Sequence, residues 1–279
     1  FSRLSVEVIA DWKGWASGPP LLHLRWASGC GGARARLKPA AMTEDRHPSG
    51  APWRNFYGRF RGKTIRASQK DYLENDLDAL SPGPISWDVN PDRVKIDPAG
   101  IFDGKDIWLE IGFGGGEHLV AMSERYPEIG LIGCEPFING VAMLLGKIRK
   151  ANVENLKVHP GDVRDLFDVM PDAAISKAFL NYPDPWPKSR HHRRRFVTAE
   201  HLDPLFRVLK PGAEFRVATD IPDYVHQTLE EVPKAGFVLE TAMPNGMSVA
   251  WDDWVSTRYE QKALREGRDP HYLTFRKPA

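Results

Sequence analysis

From about residue 105 onward the chain alternates short apolar runs with stretches of helical periodicity, and no other feature restricts its fold as strongly. IWLEIG (107–112) reads as a buried strand, and the helix after it carries Leu119, Met122 and Tyr126 on one face. GLIGCE (130–135) reads as a second strand, followed by a helix over 138–150 through Ile138, Val141, Leu145 and Ile148. LKVHPGD (156–162) forms a third strand with its turn, and ISKAFLNYPDPW (175–186) a fourth that leaves through a Pro-rich loop. A helix with Leu202, Leu205, Phe206 and Leu209 leads to a fifth strand, AEFRVATD (213–220). The next helix opens with Pro222 in its first turn, where a missing N–H costs nothing. GFVLET and HYLTFRK remain as late strands suited to an antiparallel edge. Strands joined by helices require right-handed crossovers, so the expected fold class is α/β, a doubly wound, mainly parallel sheet.

Composition narrows the function classes. With 42% hydrophobic residues among 279, the chain can bury a substantial core, which rules out wholesale disorder. Cys30 and Cys134 are its only cysteines, too few for a disulfide scaffold or a four-cysteine zinc site. No apolar run approaches the roughly 18 residues needed to cross a bilayer. Glu7 and Asp11 interrupt the one stretch resembling a signal peptide, so a soluble, cytoplasmic protein is expected.

Residues 1–41 hold three of the nine tryptophans and a Gly-rich GCGGARAR stretch, without useful periodicity. They are expected to be poorly ordered: a non-native extension preceding a natural start at Met42, or a basic flexible arm. Residues 42–98 form a basic lead-in, with a short helix in SQKDYLENDLDAL and a connector stiffened by four prolines. Residues 99–279 form the main domain.

The near-neutral total of 38 cations against 37 acids conceals two basic runs. Residues 54–70 carry Arg54, Arg59, Arg61, Lys63, Arg66 and Lys70 and no acid; residues 188–195 carry Lys188, Arg190, Arg193, Arg194 and Arg195. Such clustering suits a polyanion partner or, equally, a solvated face.

Ligands of a doubly wound sheet sit beyond the carboxyl ends of its strands. The first strand ends in EIGFGGGE, whose Gly112, Gly114 and Gly116 allow a tight turn and close approach to the backbone. Dinucleotide enzymes share such a turn, but Glu110 in front of it would repel a pyrophosphate. Glu135 closes the second strand, where a carboxylate can accept both ribose hydroxyls. Asp162 closes the third, where it or its neighbouring backbone can read an adenine amino group. A ligand with adenine, ribose and an amino-acid tail but no phosphate matches these positions, namely S-adenosylmethionine.

EIGFGGGEHL, IGCEPF and NYPDPWPKSRHHRRR, continued by VATD and STRYEQKA, resemble the bacterial tRNA (guanine-N7)-methyltransferase family over roughly residues 55–279. The resemblance implies a class I (Rossmann-like) methyltransferase fold, with a seven-stranded sheet and an antiparallel edge strand. It implies S-adenosyl-L-methionine as cofactor and a variable-loop guanine, position 46, of tRNA as substrate. By motif it implies cofactor-binding roles for Glu110, Glu135, Asp162 and Asp184, with Asp184 also catalytic. Lys188, Asp220, Thr257, Arg258, Tyr259 and Glu260 resemble substrate contacts, and Arg190, His191, His192, Arg193, Arg194 and Arg195 the RNA-contacting stretch. Neither a membrane nor a metal partner is implied, and the oligomeric state stays open between monomer and homodimer.

The residues suit this chemistry. Guanine N7 has an in-plane lone pair and needs no deprotonation, so the absence of a Ser-His-Asp or Cys-His arrangement is no obstacle. The requirement is alignment and stabilisation of the cationic purine. Asp184, framed by Pro183 and Pro185, and Asp220 can serve it. The rival readings are a methyltransferase for another RNA position or a small molecule, suggested by the Asn181-to-Trp186 loop, and a noncatalytic RNA-binding module. A nicotinamide oxidoreductase is disfavoured by Glu110.

Overall fold

A computed structural model describes residues 54–279. The expectations for residues 1–41 and the start of the lead-in therefore lie outside the described residues. Beyond the lead-in come α1 (Ala67–Asn75), a single 3-10 turn (Asp78–Leu80) and the short α2 (Pro98–Ile101). The sheet then begins: β1 (Ile107–Ile111), α3 (Glu117–Arg125), β2 (Gly130–Cys134), α4 (Ile138–Ala151), β3 (Leu156–His159), α5 (Val163–Val169) and β4 (Ile175–Asn181). A basic 3-10 segment (Ser189–Arg194) precedes α6 (Ala199–Val208), β5 (Leu209–Thr219), α7 (Pro222–Lys234) and β6 (Val238–Leu239). A last 3-10 turn (Asn245–Ser248), α8 (Arg258–Arg265) and β7 (His271–Arg276) complete the chain.

The seven strands lie in the order β3-β2-β1-β4-β5-β7-β6. β1 to β5 are mutually parallel, and β7 runs antiparallel between β5 and β6. This is the class I methyltransferase arrangement; the expected antiparallel strand lies one place in from the edge, which β6 occupies. The chain steps from β1 outward to β3, then returns to β4 on β1's other side, so the switch point lies between β1 and β4.

Burial on both faces explains the apolar runs. Leu109, Ile132, Ala178 and Val217 join one core under α5, α6 and α7; Leu119, Leu131, Leu144 and Val158 join a second under α3 and α4. α4 buries Val141, Leu144, Leu145 and Ile148 on one stripe and ends at left-handed Asn152. Pro222 is the first residue of α7, as its spacing predicts.

Four features differ from the sequence reading. β5 starts at Leu209, not Ala213, because an irregularity between Ile175 and Lys177 lets the first β4 residue pair with Leu209 before the register jumps to Glu214. Only Val238–Leu239 of GFVLET is strand, since nothing pairs with its outer edge among the described residues. Residues 163–169 and 258–265 are helices that the apolar pattern did not disclose. The latter buries only Glu260 and Ala263, so its face carries almost no hydrophobic signal.

No helix among the described residues is long and apolar enough to cross a membrane.

Candidate active site

β1 delivers the chain into a run of left-handed glycines, with φ of 69° at Gly112, 56° at Gly114 and 75° at Gly116. Glycine adopts that conformation without the penalty a Cβ would bring. The turn closes tightly on α4: a Cβ at Gly140 would lie 2.2 Å from the Gly114 carbonyl oxygen. Glu135, at the end of β2, braces the same turn. Its Oε2 accepts from the Gly114 N–H at 2.8 Å and its Oε1 from the Phe137 N–H at 2.9 Å. Burial pushes the Glu135 carboxyl up to about 7; the two N–H donors oppose this, while Asp184 and Glu110 add to it.

Glu110 is only 2% exposed. Its Oε2 accepts from Nδ1 of His118 at 2.9 Å and its Oε1 from Nδ2 of Asn181 at 3.3 Å. His118 belongs to the first turn of α3 and Asn181 to the end of β4, so three elements converge at the switch point. Asn181 Oδ1 has no partner among the described residues.

Asp162 caps α5 through the Arg164 N–H at 2.9 Å. Burial raises its carboxyl, but hydrogen bonds from and the charge of the Arg164 guanidinium outweigh that and hold it below the usual range. Arg164 also bonds Glu200 and the Asn55 carbonyl. The described part of the lead-in thus begins beside α5, where Arg54 pairs with Asp165 and Asp168, each at 2.8 Å. It crosses the strand ends to α4, where Ile138 N–H donates to the Phe60 carbonyl and Gly62 N–H to Asn139. None of these cross-chain partners has a local sequence signal.

Asp184 stands just past the end of β4, exposed and without a hydrogen-bond partner among the described residues. Desolvation by its surroundings raises its carboxyl above the usual range, and Arg59 draws it back. The loop around it is strained: Tyr182 and Trp186 have φ of 49° and 40°, costly for bulky side chains. Trp186 meets the edge of Tyr57, and the Arg194 guanidinium lies 4.8 Å from the Tyr57 ring and 5.0 Å from that of Trp186.

The basic segment divides by burial. Lys188, Arg190 and Arg193 are exposed, and His191 is half-buried beside Arg190. His192 Nε2 lies 3.0 Å from Asp223. Arg195 corrects the expected RNA-contacting run: it is 1% exposed and bonds Asp223, Gln227 and the Pro185 carbonyl, so it cannot meet a phosphate.

The C-terminal residues close the opposite wall. Thr257 caps α8 by accepting from the Glu260 N–H. Arg258 pairs with Glu117 over the Gly-rich turn, and the Tyr259 ring covers Gly114. Burial raises the Tyr259 phenol; Arg258 opposes this, and the charges of Glu135 and Asp184 reinforce it. Glu260 is turned inward, 3% exposed, its Oε1 accepting from Trp254, Tyr272 and Tyr182. A direct substrate contact by this oxygen is thereby replaced by a brace under the Tyr182 turn. Asp220 pairs with Arg268 at the end of β5.

The donor set fits S-adenosylmethionine. Glu135 retains lone pairs for ribose, the two cations at the Gly-rich turn, Lys147 and Arg258, are both paired with Glu117, and the buried Asn181 acceptor wants a donor. Among the described residues no group of three His, Cys, Asp or Glu could hold a metal ion.

Comparison with known proteins adds an independent line. A family model described as "Putative methyltransferase" matches residues 104–273. A tRNA (guanine-N(7)-)-methyltransferase of Paracoccus denitrificans is 71% identical over 227 residues, 81% of this chain and 96% of the relative. The enzyme of the same name from Cereibacter sphaeroides is 69% identical, covering 82% and 93%, and that of a Ruegeria species 63% identical, covering 86% and 96%.

Proposed function

Because the chain belongs to the tRNA (guanine-N(7)-)-methyltransferase family, we propose how its residues divide the work of methylating a tRNA guanine at N7. The enzyme uses S-adenosyl-L-methionine, which supplies an electrophilic methyl on sulfonium sulfur. The observation that carries the assignment is the convergence of Glu110, Glu135, Asp162 and Asp184 on the carboxyl ends of β1 to β4, beside an exposed basic strip.

Glu135 takes the ribose hydroxyls, the backbone beside Asp162 reads the adenine, and Glu110 faces the amino-acid end. The lead-in over residues 54–63 covers the strand ends and excludes water, which strengthens each polar contact beneath it. Asp184 orients the guanine and offsets the positive charge that develops on the purine. No residue removes a proton in the attack, because N7 offers a free lone pair. Lys188, Arg190 and Arg193, with Arg59, Arg61 and Lys63 of the lead-in, supply phosphate contacts whose role is affinity and register. Tyr259 and Arg258 border the pocket into which the base is displaced. We assign the guanine to position 46 of the variable loop and the enzyme to the cytoplasm, where its tRNA substrate is found.

Nucleoside mass analysis of treated tRNA tests the reaction: 7-methylguanosine is expected, and a methyl on another atom or no methyl would overturn it. Asp184→Asn tests the mechanism in single turnover at saturating tRNA and cofactor. The rate should fall about 100- to 1,000-fold with tRNA affinity kept within a few-fold. A near-normal rate would move the charge-stabilising role to Asp220.

A further inference from the structure

The Glu110 carboxyl is 2% exposed, with no Lys or Arg on it among the described residues. Burying a carboxylate costs several kcal/mol by typical estimates unless donors and a counter-charge are supplied. The chain supplies the donors. His118, itself 2% exposed, directs Nδ1 at Glu110 Oε2 over 2.9 Å. Its ring cannot swing away, because Phe179 meets it edge-on at 4.9 Å and Trp254 lies against it at 5.3 Å. Asn181 Nδ2 lies 3.3 Å from the other carboxylate oxygen and 3.3 Å from His118 Nδ1, and its Oδ1 is buried without a partner among the described residues.

A purely structural contact would not need this arrangement, since an apolar trio of the same shape would serve the core as well. A carboxylate locked on both oxygens, beside an acceptor lacking a donor, is instead a preformed seat for a cationic N–H group. We propose that His118 is a positioning residue for methyl transfer, holding Glu110 in the one orientation that receives the ammonium end of the methyl donor. The proposal rests on the reading of Glu110 as a cofactor ligand. Asn181 extends the effect, because the next residue is the strained Tyr182 turn that carries the chain to Asp184.

The test compares side chains that restore different ring nitrogens. An asparagine amide overlays Nδ1, whereas a glutamine amide overlays Nε2. S-adenosylmethionine affinity by calorimetry, cofactor KM, kcat and tRNA affinity are measured on the full-length enzyme. His118→Leu and His118→Gln should weaken the cofactor about ten- to a hundredfold, the range for a hydrogen bond to a charged group, with tRNA affinity unchanged. His118→Asn should recover most of that loss. In a Glu110→Gln background, itself weakened, adding His118→Leu should cost nothing further.

Equal losses in the Asn and Gln variants would overturn the proposal, as would losses that multiply in the double variant. If Glu110→Gln binds the cofactor normally, the reading of Glu110 fails and the proposal with it. Should His118→Leu not fold, the Asn and Gln pair still decides.

Discussion

Glu135 does two jobs with one carboxylate, and its protonation decides whether both are available. It accepts the Gly114 and Phe137 N–H groups that shape the Gly-rich turn, and its remaining lone pairs face the position proposed for ribose. With its carboxyl at about 7, the group is only partly ionised at neutral pH. A protonated carboxyl has lost acceptor capacity, so cofactor affinity should rise between pH 6 and 8, with binding on the low-pH, weak-binding side releasing up to one proton per site. Titration calorimetry across that range checks it, and Glu135→Gln should abolish the dependence. Glu135→Ala should cost about 1.5–3 kcal/mol of cofactor binding while sparing tRNA binding. A pH-independent wild type would mean that the ribose is held elsewhere.

At the scale of elements, the 3-10 segment Ser189–Arg194 and the residue after it show why a charge run is not a surface. Arg193 is exposed and Arg195 is enclosed by α7 and the Pro-rich loop, though both read as equivalent in RRR. Arg193→Ala should therefore lower the log–log salt slope of tRNA binding by about 0.7–0.9 and leave the melting temperature unchanged. Arg195→Ala should do the reverse: strand Asp223, Gln227 and the Pro185 carbonyl, cost about 3 kcal/mol of stability, and leave the salt slope unchanged in the folded fraction. The same contrast marks what was legible beforehand. β1 to β4 were readable because strands buried on both faces must be continuously apolar, and the acids at their ends because carboxyl ends are where such sheets bind ligands. α8 was not, since its buried face is Glu260 and Ala263 and its stability comes from the Thr257 cap and from partners in β7 and in the turn after β4. His118 lies inside the EIGFGGGEHL motif, but its surroundings depend on Asn181, 63 residues away.

For the molecule as a whole, three groups, buried His159 and Glu135 and half-buried His201, contribute to how stability responds to mild acid. His159, at the end of β3, and His201, in α6, are each lowered to about 4, chiefly by burial. Unfolded, they take up protons near 6.5, so between 6.5 and 4 the unfolded chain holds two protons that the folded one refuses. Their contribution is full above 6.5 and is lost as the pH falls. Glu135 acts in the opposite sense: folded, it keeps its proton up to about 7, against 4.5 unfolded, so its contribution grows as the pH falls through that window. Between pH 6.5 and 4.5 the balance of these three is one proton in favour of the unfolded state. Stability should then drop by about 1.4 kcal/mol per pH unit as the solution is acidified. Glu135→Gln removes the compensating proton and should steepen the loss toward about 2.7 kcal/mol per unit, since two uncompensated protons remain. Urea unfolding at half-unit intervals, without cofactor, measures both slopes. Equal slopes in the two proteins would place the Glu135 carboxyl in the ordinary range and remove the basis for its pH-dependent grip on the cofactor.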